Sequence, residues 1–291
     1  MEKNWDGSRH TVFKSVLALL ALDPDTGFIP YGDATISHAN QHDAILEFID
    51  FWKDTCSRPL KCLIFDSKFT TYQHLSRINQ DGITFITLRR KGKQLIHHAN
   101  NLPNSKWHPV KLEGTARKYT HLKINESRVN LTGYDGTVRQ LILTGHGRET
   151  PAFLMTNDVQ ATQKHIVTKY ARRWLVEKGI REQIYFFHLN MLSSAIVIKV
   201  DLDLTMSIAA HTLYRFIANT LAGFEHAEAN TIYRHFIETI ADISINYPTI
   251  DVKLLKKVHY PILSEEGLFK QSHTISWLND AQLKFSINNS T

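Results

Sequence analysis

Cysteines, long apolar runs and repeats are scarce or absent in this sequence of 291 residues. Cys56 and Cys62 are the only cysteines, and neither stands in a CxxC or Cys/His zinc spacing. We therefore expect reduced thiols in a cytosolic protein and no structural zinc. The 16 histidines include no HExxH motif, and no apolar run approaches the about 20 residues that a membrane-spanning helix needs. Disulfide scaffolds, zinc proteases and membrane-spanning proteins are not expected.

The apolar run at residues 16–22 is the one segment that resembles an export signal. Acids precede it at Glu2 and Asp6, and a turn rich in Asp, Pro and Gly follows it. We expect no export.

Composition indicates a folded protein with a basic surplus. Hydrophobic residues make up 43% of the chain and charged residues 21%, which suits one large domain, alone or with an appendage. The 34 Lys and Arg against 28 Asp and Glu leave a net charge of +6, with basic clusters at 89–93, 164–181 and 253–257. Clustered basic charge favours a polyanionic partner, although solvated basic faces give the same composition.

The segment from 170 to 177 reads Tyr-Ala-Arg-Arg-Trp-Leu-Val-Glu. On a single predicted helix, Tyr170 and Glu177 share a face, with Arg173 and Trp174 between them. A carboxylate that carries a divalent cation, flanked by guanidinium donors, attracts a phosphodiester. The alternative is an amphipathic helix with a surface ion pair and a core tryptophan.

A second acid follows a short apolar run. Residues 60–66 are predicted to form a buried strand that ends at Asp66, followed by a helix at 70–80 and a strand at 83–88. This order places Asp66 at the carboxyl end of a sheet, where open α/β folds build their sites. The alternative is an aspartate that caps a turn.

Together these segments resemble the insertion-sequence DDE transposases, which carry a ribonuclease-H-like catalytic core. The resemblance rests on Leu-Ile-Phe-Asp-Ser-Lys-Phe-Thr-Thr-Tyr at 63–72, on residues 82–90, and on the family pattern Tyr-x2-Arg-x3-Glu-x6-Lys. Tyr170, Arg173 and Glu177 meet the pattern, whereas Ile184 stands in place of its lysine. The similarity runs from about residue 11 to about residue 260, and it includes 186–190 and 200–203.

The resemblance implies an α/β fold with a mixed sheet, a ribonuclease-H-like core whose first strand is missing, and a helical C-terminal part. The expected organisation is a core at 11–94, a β-rich insertion at 95–156, a helical core segment at 157–222 and a helical or β appendage at 223–291. By apolar spacing, helices are expected at 205–221 and 229–243, and an extended segment at 250–263.

The resemblance also implies a metal-dependent site. Asp66 and Glu177 would be catalytic and would hold Mg²⁺ or Mn²⁺, Arg173 would clamp a phosphate, and Tyr170 would contact the DNA end. Arg181 is the expected substitute for the lysine missing at Ile184. Four further cations would follow the DNA backbone: Arg89, Arg90, Lys91 and Lys93.

The opening strand that carries the family's first catalytic aspartate is not found in this sequence. We therefore expect a truncated copy that begins downstream of that aspartate. Asp33 is the best substitute ligand, and a turn acid is its ordinary interpretation.

Three functions remain open: a transposase that cuts and joins DNA strands, a non-catalytic DNA-binding remnant, and a nuclease of the same core. DNA is the expected partner, a homodimer is left open, and neither a membrane nor a small-molecule cofactor is expected. The expected location is the cytoplasm, with the nucleoid when bound to DNA.

Overall fold

The computed structural model describes residues 2–6, 10–112, 120–191, 194–265, 267, 269 and 272–288. The chain divides into two compact units. The first unit comprises residues 1–19 and 33–177, and the second comprises residues 20–32 and 178–291.

The helices and strands of the first part of the chain run in this order: β1 (Glu2–Asp6), β2 (Thr11–Ser15), β3 (Leu19–Ala21), β4 (Tyr31–Asp33), α1 (Ala44–Thr55), β5 (Cys62–Phe65), α2 (Tyr72–Gln80), β6 (Thr84–Leu88), α3 (Lys93–Asn100), β7 (His108–Lys111), β8 (His121–Asn130), β9 (Thr137–Thr144), β10 (Ala152–Thr156) and α4 (Gln163–Ala171). The remaining elements are α5 (Trp174–Tyr185), α6 (Val197–Thr220), α7 (Ala229–Ile232), β11 (Ala241–Asn246), β12 (Thr249–Leu255), α8 (Tyr260–Glu265), β13 (His273–Ile275) and β14 (Ala281–Asn288).

A six-stranded mixed sheet with the order β5-β6-β10-β9-β8-β7 forms the centre of the first unit. β5 and β6 are parallel, and the remaining neighbours are antiparallel. The segment expected as a β-rich insertion supplies β7 to β10, which continue the sheet that β5 and β6 begin. Among the described residues, β5 is an edge strand of this sheet.

Alternating side chains of β6 enter two separate cores, because successive strand residues point to opposite faces. Phe85 packs with Leu75 and Ile78 of α2 on one face, whereas Ile86 packs with Ile166 of α4 on the other. Three of the five residues of β6, which reads Thr-Phe-Ile-Thr-Leu, are apolar, and both of its faces are covered. The mixed α/β fold expected from the sequence is confirmed.

The second unit contains the long helix α6 and a four-stranded sheet with the order β11-β12-β14-β13. The Arg215 side chain of α6 is buried and donates hydrogen bonds to the backbone carbonyls of Thr26, Glu225 and Ala227. One guanidinium thereby joins the loop at Thr26 to the loop between α6 and α7. Among the described residues, no helix is long and apolar enough to span a membrane.

Two expectations about the second unit were wrong. In the segment expected to be a helix at 229–243, the α-helix α7 ends at Ile232. A single π-helical turn follows to Ile237, and the strand β11 begins at Ala241. Ile243 and Ile245 alternate with polar residues and pair with β12. This two-residue alternation of apolar side chains is typical of a strand, and here it decides the structure over the helical spacing. The segment expected to be extended at 250–263 is a strand only to Leu255, and α8 begins at Tyr260.

Candidate active site

Asp66 lies immediately after β5 and caps the single turn of 3₁₀ helix at Ser67–Phe69. Its carboxylate accepts hydrogen bonds from the Lys68 backbone N–H at 3.4 Å and from the Ser67 hydroxyl at 3.3 Å. The side chain is half-buried. Asp66 therefore occupies the carboxyl edge of the parallel strand pair, and at the same time it has the capping role that was its alternative interpretation.

The prediction that one helix carries Tyr170, Arg173 and Glu177 was wrong, because the helix is interrupted at residues 172–173. α4 ends at Ala171 and α5 begins at Trp174. The backbone N–H groups of Arg173, Leu175 and Val176 each donate to the carbonyl three residues earlier, which tightens the turn to 3₁₀ geometry. Tyr170 thus belongs to α4, Arg173 to the break and Glu177 to α5.

Arg173 is the centre of the site. Its Nη2 donates to Glu177 Oε1 at 2.7 Å, and its guanidinium carbon lies 5.9 Å from the centroid of the Tyr170 ring. Its Nε is buried and has no hydrogen-bond partner among the described residues. Burial works to lower the pKa of Arg173, but Tyr170, Glu177 and Asp66 outweigh it and raise the pKa above its usual value. Arg173 therefore forms an ion pair with Glu177, and it lies near enough to Asp66 for that charge to contribute to its raised pKa.

The basic cluster at 89–93 divides by environment. Arg90 donates to the Ser67 carbonyl at 3.4 Å, so it reaches the turn that Asp66 caps. Arg89 is half-buried and donates to Gln140 at 2.7 Å, and Lys91 donates to the Thr150 hydroxyl. Lys93 is exposed at the start of α3. Arg90 is the member of this cluster that the described contacts bring to Asp66.

The described contacts of two other predicted residues lie elsewhere. Arg181 belongs to the second unit, where its Nη2 lies 3.6 Å from Glu228. Asp33 accepts hydrogen bonds from the backbone and hydroxyl of Thr35, both at 2.7 Å. The pKa of Glu47 is raised first by burial and then by the charge of Asp33, which places Asp33 beside α1.

The donor set fits a divalent cation only in part. Carboxylate oxygens such as those of Asp66 and Glu177 are the ligands that Mg²⁺ and Mn²⁺ prefer. Within the described part of the chain, however, no three His, Cys, Asp or Glu side chains converge on one point. Two cations about 3.5–4 Å apart need more bridging carboxylates than these two residues supply.

A network that the sequence did not reveal positions α4. Arg139 of β9 donates to both oxygens of Glu126, at 2.7 and 3.0 Å, and also to the backbone carbonyls of Asp158 and Ala161. Gln163, the first residue of α4, donates to the same Glu126 carboxylate at 2.8 Å. Hydrogen bonding from Arg139 is the main reason that the pKa of Glu126 is lowered. The only sequence signal was a pair of opposite charges on two consecutive strands.

The model of the transposase DDE domain family matches residues 2–213, about three quarters of the chain. The match includes Asp66, Arg90, Arg173 and Glu177. No curated protein matches the chain.

Proposed function

Because the chain belongs to the transposase DDE domain family, we propose that it binds the ends of a mobile DNA element and acts on their phosphodiesters. The observation that carries the proposal is the position of Arg173. Its guanidinium pairs with Glu177 at 2.7 Å and interacts with Asp66. A scissile phosphate at this point would meet a guanidinium that pairs with Glu177 and lies near enough to Asp66 to respond to its charge.

Each side chain has a distinct role in this proposal. Arg173 has five N–H donors in one plane, and the ion pair with Glu177 uses only part of this set. The remaining donors would bind phosphate oxygens, because guanidinium and phosphate match in a two-point geometry. Tyr170 supports the guanidinium and contacts the DNA end. Arg90, beside Ser67, would hold a neighbouring phosphate.

Asp66 and Glu177 are proposed to hold Mg²⁺ or Mn²⁺. When bound, such cations activate the attacking oxygen and stabilise the leaving one. Two carboxylates and water are a sufficient set for one cation, since magnesium sites commonly keep several waters. A second cation requires another acid, and we derive no two-metal step from the two that are present.

We propose that a further acid is supplied by a strand that pairs with the edge of β5 that has no partner among the described residues. Two observations support this proposal. Among the described residues, β5 has a partner on one side only, and Asp66 follows its last residue. An unpaired strand edge offers a row of backbone donors and acceptors to an incoming strand. A carboxylate on that strand would lie beside Asp66.

The lack of three converging acids among the described residues favours a second candidate function, a DNA-binding remnant without catalysis. Both candidates share DNA as the partner. A nuclease that cuts but does not join strands would use the same side chains as the transposase. All three place the protein in the cytoplasm, at the nucleoid when it is bound to DNA.

Exposed cations are proposed to follow the DNA backbone beyond the scissile phosphate. Arg90, Lys91 and Lys93 are exposed, whereas half-buried Arg89 is held by Gln140 and is expected to contribute less. Arg181 is proposed to reach DNA only if it leaves Glu228.

The affinity for duplex DNA as a function of salt tests this binding. For each phosphate contact removed, the slope of log K against log salt should decrease by about 0.9. We expect this decrease for Arg90→Gln and for Arg173→Gln. Arg77→Gln is the matched control, since Arg77 is an exposed arginine whose described partner is Asp50 of α1.

Two results would contradict the binding proposal. One is the absence of binding at low salt. The other is a slope that is unchanged in both site variants and equal to that of the control.

A further inference from the structure

Thr87 is a buried polar residue of β6, the strand that lies between the two large apolar clusters of the first unit. Its side chain is 0% exposed. A buried hydroxyl that lacks a hydrogen bond destabilises the folded state, so such a residue needs a partner. The Thr87 Oγ1 donates to the backbone carbonyl of Phe65 on the neighbouring strand β5, at 2.9 Å. Thr87 thereby joins the carboxyl ends of two parallel strands.

The carbonyl of Phe65 belongs to the peptide unit that joins β5 to Asp66. Phe65 is the last residue of β5, and it lies opposite Thr87 in the parallel pairing of β5 with β6. A peptide unit is planar. A hydrogen bond to this carbonyl therefore also restrains the N–H and the Cα of Asp66, from which the carboxylate side chain departs.

The direction of the Asp66 side chain follows from the alternation along β5. Phe65 packs in the cluster that contains α2, whereas Ile64 packs in the cluster that contains α4 and Tyr170. Asp66 has an extended backbone, with a φ of −79° and a ψ of 148°, so it continues the alternation on the side of Ile64. That is the side of α4, and the charge of Asp66 contributes there to the raised pKa of Arg173.

The other described hydrogen bonds around Asp66 are longer than the one from Thr87. The Ser67 hydroxyl and the Lys68 N–H donate to the carboxylate at 3.3 and 3.4 Å, and Arg90 donates to the Ser67 carbonyl at 3.4 Å. These distances lie beyond the usual 2.7–3.2 Å for N–H donors and 2.5–3.0 Å for hydroxyl donors. The turn after β5 therefore holds the carboxylate loosely, and the bond from Thr87 lies within the usual range.

We propose that Thr87 is a positioning residue for Asp66 and acts through the Phe65 carbonyl. The inference rests on the proposed function, in which Asp66 and Glu177 hold Mg²⁺ or Mn²⁺. A ligand group that is already oriented loses less conformational freedom when it binds. Loss of a residue that orients a metal ligand from outside typically weakens metal binding by about 10–100-fold. Thr87 acts on the backbone of Asp66 and not on its carboxylate, so we expect the lower end of this range.

Two substitutions at Thr87 separate the hydroxyl from the packing. Thr87→Val removes the hydroxyl and keeps the β-branched shape that suits a strand. Thr87→Ser keeps the hydroxyl and deletes a buried methyl group, which should lower stability. A merely structural role predicts that metal affinity follows stability. The positioning role predicts that metal affinity follows the hydroxyl. Thr84→Val is the matched control, since Thr84 pairs with Cys62 at the other end of the same two strands.

The hydrogen bond itself can be observed without any metal, because the dipeptide Phe-Asp occurs once in the sequence, at 65–66. A full chain labelled with carbonyl ¹³C in phenylalanine and ¹⁵N in aspartate gives a single correlated NMR signal from this peptide unit. We expect the signal to shift in Thr87→Val and to stay close to the wild-type position in Thr87→Ser and Thr84→Val. An unchanged signal in Thr87→Val would overturn the proposal.

Binding of Mn²⁺ alone to the full chain, measured from the electron paramagnetic resonance of the free ion, tests the consequence for the site. We expect Asp66→Ala to abolish the site and Thr87→Val to weaken it by about tenfold. Thr87→Ser and Thr84→Val should bind as the wild type does. Thr87→Ser keeps the proposal falsifiable even if Thr87→Val does not fold.

The outcomes distinguish the inference from the proposed function on which it rests. A wild type without a Mn²⁺ site, or Asp66→Ala that binds as the wild type does, would overturn the proposed metal site and the role of Thr87 together. Loss of the site in Asp66→Ala with unchanged affinity in Thr87→Val would overturn the role of Thr87 alone. Weakening in Thr87→Ser as large as in Thr87→Val would also overturn it, because affinity would then follow packing.

Discussion

Replacing Arg139 should loosen the helix that leads into the candidate active site. The Arg139 side chain is 10% exposed and donates to Glu126, which is 34% exposed, and to the carbonyls of Asp158 and Ala161. Hydrogen bonds to charged groups contribute about 1.5–3 kcal/mol, and each carbonyl left without its donor costs about 1 kcal/mol more. The partial exposure of Glu126 keeps the loss below the about 3–5 kcal/mol of a fully buried broken pair. We therefore expect Arg139→Met to destabilise the first unit by about 3 kcal/mol.

Urea unfolding monitored by tryptophan fluorescence is the assay, because four of the five tryptophans lie in the first unit. A double-mutant cycle with Glu126→Gln isolates the pair. The pKa of Glu126 is lower in the folded protein than its unfolded value near 4.5. Glu126 therefore stabilises the fold at pH values above 4.5, and this contribution is lost as the pH falls through the lower pKa of the folded state. Arg139→Met should remove that part of the pH dependence. Additive single variants, or unchanged unfolding, would refute the reasoning.

Three further outcomes follow from the structure. Gly27 has a φ of +75°, and a Cβ there would lie 2.7 Å from the Arg215 Nε. Gly27→Ala should therefore destabilise the second unit by about 1–3 kcal/mol. An unchanged melting temperature would contradict this role of Arg215. Burial raises the pKa of the Cys62 thiol. In Cys56→Ser protein at pH 8, Cys62 should therefore react with a disulfide reagent more slowly than free cysteine does. An equal rate would contradict the burial of this thiol. The pKa of Glu182 is lowered overall: burial raises it, but hydrogen bonds from His211 and the Ala229 backbone outweigh burial. Glu182→Gln should therefore destabilise the second unit at neutral pH and have little effect well below pH 4.5, as calorimetry at the two pH values can check.

The sequence predicted the central α/β order because its signals are local. The apolar strand expected before Asp66 corresponds to β5, and the helix expected at 70–80 corresponds to α2. The break between α4 and α5 was not predictable, since residues 170–177 contain neither Gly nor Pro. The end of α7 was also not predictable from local signals. The alternating apolar residues of β11 form a strand because β12 pairs with them, and this pairing is not visible in the segment itself.

The candidate site was predictable where motif and topology coincide. The position of Asp66 follows from a strand that ends at a sheet edge, and the Arg173–Glu177 pair follows from a spacing of four residues. The Arg139 network was not predictable, because it joins two strands to the loop before α4. Long-range hydrogen bonds of this kind leave no period in the sequence.

Metal-dependent cleavage of a labelled transposon-end duplex tests the central claim most directly. The chain of 291 residues should cleave little or not at all with Mg²⁺ or Mn²⁺, because within the described residues no third acid joins Asp66 and Glu177 to bridge two cations. A chain extended upstream by a strand with a central aspartate, able to pair with β5, should cleave, and Asp66→Ala or Glu177→Ala should abolish that cleavage. Robust cleavage by the unextended chain would contradict the account, and its loss on Asp33→Ala would identify Asp33 as the missing ligand. Cleavage by the extended chain that survives both alanine variants would contradict it as well.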